Sequence, residues 1–99
     1  MGTMQTKPWD AADHLKDDAD AAAYLEAALE DGDAHLVAAA LGDVARARGM
    51  TQLARDTGLA RESLYRALSA DGNPELATVL KVIAALGLRL TVESRTATA

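Results

Sequence analysis

Two arginines, a glutamate, a tyrosine and two serines fall within nine residues, Arg61-Glu62-Ser63-Leu64-Tyr65-Arg66-Ala67-Leu68-Ser69. On a helix that turns Leu64 and Leu68 inward, Arg61, Glu62, Tyr65, Arg66 and Ser69 are left for the outer side. Their chemistry is recognition. A guanidinium grips guanine through paired hydrogen bonds, whereas a carboxylate accepts from cytosine but repels phosphate, so Glu62 argues for selective rather than indiscriminate binding. Ser63 either reaches a phosphate or bonds to its own helix backbone, and Tyr65 either touches a sugar or base or is half-buried. Little else in the chain offers chemistry. Asp10, Asp13 and His14 have suggestive spacing for a metal, but no second histidine is near and an exposed helical turn is the better reading. His14 and His35 are far apart, no nucleophile sits in a recognisable motif, and there is no glycine-rich phosphate loop. The expectation is a non-enzyme with neither metal nor cofactor.

The stretch that must position these residues runs from Met50 to Ser69 and has the pattern of a helix-turn-helix. Leu53 faces the core, and Ala54 is small where two helix backbones come close. Gly58, four residues on, ends the first helix through a left-handed turn. Leu59 plugs that turn, while Ala60 brings no side-chain oxygen to cap the second helix. Ahead of this unit, Asp17 to Asp31 reads as a helix capped by Asp17, with Ala21, Tyr24, Leu25, Ala28 and Leu29 inward and Gly32 as its stop. Asp33 caps the next, whose apolar positions are Leu36, Val37, Ala40, Leu41 and Val44. Arg46 and Arg48 close that helix before Gly49; either they only complement its negative end or they reach phosphate.

Behind the unit, Asp71-Gly72-Asn73-Pro74 forms a turn, with Asn73-Pro74 opening a last helix that sends Leu76, Val79, Leu80, Ile83 and Leu86 inward. Lys81 falls on another face, a candidate phosphate contact. Residues 88–93 then alternate apolar and polar with period two, as a half-buried strand does. A lone strand must fray or pair with another chain. The economical partner is its own copy about a two-fold axis, through Leu88, Leu90 and Val92, which would present two recognition helices to a palindromic operator. Residues 1–8 read as a disordered leader, 9–93 as one domain and 94–99 as a disordered tail.

Composition bounds these readings. Ninety-nine residues without cysteine make one modest core with no disulfide or thiolate metal site, which suits a reducing cytoplasm. No apolar run approaches a membrane span. The net charge of −5 is unevenly divided: residues 1–45 hold two lysines against ten acids, a net of −8, and residues 46–99 hold eight bases against five acids, a net of +3. The basic half suits phosphate and the acidic half a cationic partner, although an ordinary solvated acidic surface has the same signature.

The segments ARARGM, TGLARESLYRALS and GNPELATVLKVIAALGL give the chain a resemblance to the probable addiction-module antidote family, a branch of the lambda-repressor-like helix-turn-helix proteins, over nearly its whole length from Trp9 to Val92. The resemblance implies a mainly α, five-helix lambda-repressor/Cro-like bundle with one short C-terminal strand that pairs across a dimer. It implies a HigA-like antitoxin that neutralises a small, usually basic RelE/ParE/HigB-like toxin encoded in the same operon and represses that operon. Thr51 to Ser69 matches the family's DNA-binding unit, so Thr51 and Gln52 join Arg61, Glu62 and Arg66 as expected DNA contacts. The alternative is a stand-alone dimeric regulator with the same fold and no toxin.

Overall fold

The three-dimensional structure is a computed structural model describing residue 15 and residues 17–98. The predicted leader, the Trp9 region and the Asp10-Asp13-His14 turn lie outside those residues. Among the described residues there are five α-helices and no strand: α1 (Asp18–Asp31), α2 (Ala34–Arg48), α3 (Met50–Thr57), α4 (Arg61–Ala67) and α5 (Leu76–Ala85).

Local chemistry sets the first two helices. The Asp17 carboxylate accepts from the backbone N–H groups of Ala19 at 2.7 Å and Asp20 at 3.3 Å, satisfying donors that an open helix end leaves unpaired. Asp33 does the same for α2, accepting from His35 N at 2.9 Å. Only Gly32 and Asp33 separate the helices, so the chain doubles back. Two contacts at matching distances from that turn fix the antiparallel hairpin. The Tyr24 hydroxyl donates to Asp43 Oδ2 at 2.5 Å, and Arg48 Nη2 donates to Asp18 Oδ1 at 2.5 Å.

Helix α3 packs against α2, α4 and α5. The core gathers Leu25, Leu41, Val44, Met50, Leu53, Leu64, Leu68, Val82, Ile83 and Leu86, with alanines 21, 28, 40 and 45 letting the backbones approach. Closest of all is Gly42, where an added Cβ would lie 2.0 Å from the Leu68 carbonyl oxygen. Any side chain there would have to push α2 off the end of α4.

Several predicted positions require correction. Leu29 and Leu36 belong to the apolar stripes by spacing but stand exposed. Helix α5 begins at Leu76 behind Glu75, so Asn73-Pro74 does not open it. Its buried positions are Val82 and Ile83, followed by Leu86, while Leu76 and Leu80 face outward at 68 % and 47 % exposure. α5 is apolar nearly all round, so periodicity alone could not choose its face; packing against α3 does. Residues 88–93 carry no regular structure, because a single chain offers this segment no ladder partner. Leu88 departs from the strand reading for a further reason. The Gly87 and Leu88 N–H groups return to the Ala84 and Ile83 carbonyls at 3.0 Å each, closing α5 in a Schellman turn that lays Leu88 against its own core. Within the predicted disordered tail, Arg95–Thr98 forms a short 3-10 turn.

Candidate nucleic-acid interface

Helices α3 and α4 are joined by Gly58, Leu59 and Ala60. Gly58 adopts φ 75° and donates to the Ala54 carbonyl at 2.9 Å, the left-handed turn that its type and spacing predict. Thr57 reinforces the corner. Its hydroxyl donates to the Leu53 carbonyl at 2.8 Å and accepts from Leu59 N at 3.3 Å, so a polar residue does at this turn what an apolar one would do by packing. Leu59 is half-buried against the core, and Ala60 makes no side-chain cap.

Leu64 and Leu68 are fully buried, which fixes the roll of α4 about its axis. Arg61, Glu62, Ser63, Tyr65 and Arg66 are consequently all exposed, on a helix held from behind. The Arg61 guanidinium lies over the Tyr65 ring, 5.7 Å from its centroid. The ion pairs among the described residues are Arg46–Asp43 and Arg48–Asp18, so Arg61, Glu62 and Arg66 keep their charges uncommitted to any partner ion. Ser63 has no hydrogen bond among the described residues, contrary to a bond with its own helix. Ser69 is half-buried, and its hydroxyl donates back to the Arg66 carbonyl at 3.0 Å.

On α3, Thr51 and Gln52 are exposed in the first turn. Gln52 is tied within its helix, donating to Asp56 at 2.8 Å and accepting from Arg55 Nη1 at 3.5 Å. Arg55 is the cation that sequence reasoning missed. It shares the exposed face of α3 with Thr51 and Gln52, and the buried Met50 and Leu53 with the half-buried Ala54 would have placed it there by helical spacing. Lys81 is exposed on α5.

Arg48 is engaged within the fold. Its guanidinium holds Asp18 and donates through Nη1 to the Leu86 carbonyl at 3.2 Å, linking the start of α1 to the end of α5. This contact serves the end of a different helix and not the end of its own. Arg46 likewise bonds Asp43 at 2.5 Å. Asp43 also receives the Tyr24 phenol, and this hydrogen bond, helped by burial and by the carboxylate charge, pushes the Tyr24 pKa up to about 12 against the opposing pull of Arg46.

The family described as "probable addiction module antidote protein" matches residues 5–94. The chain belongs to this family. An antidote is one half of an addiction module, so membership carries a toxin partner with it in general terms. A protein of Haemophilus influenzae (strain ATCC 51907 / DSM 11121 / KW20 / Rd) is 48 % identical over 91 residues, which cover 92 % of this chain and 94 % of that one; its printed name is "Uncharacterized protein". No solved structure matches. In this antidote-family chain no helix among the described residues is long and apolar enough to cross a membrane, and no group of three metal-binding side chains occurs among them.

Proposed function

We propose that this antidote is the antitoxin of a type II module: a HigA-like, cytoplasmic protein of lambda-repressor type that binds and neutralises a RelE/ParE/HigB-like toxin and represses its own operon as a homodimer. In this reading α3 supports α4, and α4 enters the major groove with Arg61, Glu62 and Arg66 toward the bases and the Tyr65 ring beside Arg61. Thr51, Arg55 and Lys81 serve the phosphates. The function is binding alone, with no catalytic step.

One observation carries the proposal. A short helix whose buried leucines fix its roll presents two arginines and a glutamate that no ion pair satisfies, on the half of the chain that is net basic while the other half is net acidic. Residues 89–93, with Leu90 and Val92 exposed and no ladder partner within the chain, would pair with a second copy, as two half-sites require.

The test is growth on inducing the short reading frame next to this gene, alone and together with this chain. Arrest that this chain relieves establishes neutralisation, and retention of the promoter-proximal duplex by the purified chain establishes repression. Duplex binding without any arrest would leave a stand-alone regulator.

A further inference from the structure

Tyr65 contributes little to the core: at 41 % exposure it stands outside the packed leucines of α4. Residues i and i+4 are neighbours on a helix surface, and Arg61 uses that neighbourhood to lay its guanidinium over the ring, 5.7 Å from the centroid. A cation over an aromatic face is held by the ring's quadrupole without spending an N–H donor on an acceptor. No side-chain hydrogen bond of Arg61 occurs among the described residues. The guanidinium is therefore restrained yet fully unbonded, which is the condition for two-point recognition at small entropic cost. Arg66, by contrast, has no ring contact among the described residues. Glu62, beside Arg61, disfavours a phosphate at the same place.

We propose that Tyr65 is a positioning residue for Arg61, holding the guanidinium before DNA arrives so that its donors meet O6 and N7 of one guanine in the major groove. The inference rests on the DNA-binding reading above and deepens it. It assigns guanine recognition to the Arg61–Tyr65 pair and leaves Arg66 the less specific contact. The ring face is the working part of Tyr65, and the hydroxyl is not.

The test uses the full chain and a library of DNA duplexes randomised over a short window, followed by titration of the enriched duplex and of its single guanine-to-adenine variant. The unaltered chain is expected to enrich an invariant guanine. Tyr65→Phe keeps the ring and keeps the preference. Tyr65→Leu keeps an apolar side chain but loses the quadrupole, and its preference for guanine falls by about three- to tenfold, with binding to the adenine variant little changed. Arg61→Ala removes the donors altogether and the preference with them. Survival of the guanine preference in Tyr65→Leu, or its equal loss in Tyr65→Phe, overturns the inference while leaving DNA binding intact. Failure of the unaltered chain to enrich any sequence overturns the DNA-binding reading itself, and the inference falls with it.

Discussion

Arg48 and Arg66 are both arginines near the end of a helix, and they differ in their surroundings: Arg48 is bonded within the fold and Arg66 is exposed. Replacing Arg48 with alanine strips the Leu86 carbonyl of a donor and Asp18 of its partner. Unfolding in urea is expected to show a loss of about 1–3 kcal/mol, with the DNA affinity of the folded fraction unchanged. Lost affinity at full stability would instead return Arg48 to phosphate contact. Arg66→Ala has the reverse signature, weaker operator binding in a gel-shift titration with a melting temperature close to that of the unaltered chain; a collapse of the melt would make Arg66 structural. Tyr24 adds a pH dependence. A phenol donates to Asp43 only while protonated, so its folded pKa of about 12 lies above the ordinary 10.0. The stabilisation is whole below pH 10 and is lost as the pH rises from 10 towards 12. In a Tyr65→Phe chain Tyr24 is the sole phenol. Its tyrosinate absorbance is expected to appear late while the fold persists, and Tyr24→Phe is expected to flatten the alkaline decline in melting temperature.

Elements were legible where one residue has one physical job. Asp17 and Asp33 cap, Gly58 turns left-handed, and Leu64 with Leu68 orient α4, all from type and spacing alone. Legibility failed where several faces were equally apolar. Leu76 and Leu80 fit a helical stripe as well as Val82 does, and only the position of α3 decides among them. Arg48 was out of reach for a different reason: its acceptors lie 30 and 38 residues away in the chain. Gly42 was likewise silent in sequence, because its need for a bare Cα comes from the Leu68 carbonyl of another element. Gly42→Ala therefore tests the packing of α2 on α4. A clash with backbone cannot be relieved by rotating a side chain, so denaturation is expected to show a loss of about 1–3 kcal/mol or more, large for a residue gaining one methyl group. An unaffected midpoint would mean that the two helices can separate freely.

At the scale of the molecule, the homodimer proposed above gives the exposed Leu90 and Val92 a role in association rather than in folding. Under that proposal Leu90→Asp is expected to lower the sedimentation mass from dimer to monomer with the helical circular dichroism unchanged; an unaltered mass would rule out pairing through residues 89–93. The link made by Arg48 has a consequence at the same scale. It joins the first turn of α1 to the Leu86 carbonyl that caps α5, so the first and the last of the five helices share one charged contact. If α1 frays, Asp18 departs and leaves a half-buried guanidinium less well compensated, which loosens the hold on Leu86. Local opening of these two helix ends is thereby linked, and amide hydrogens near the close of α5 will exchange with solvent in step with those that open α1.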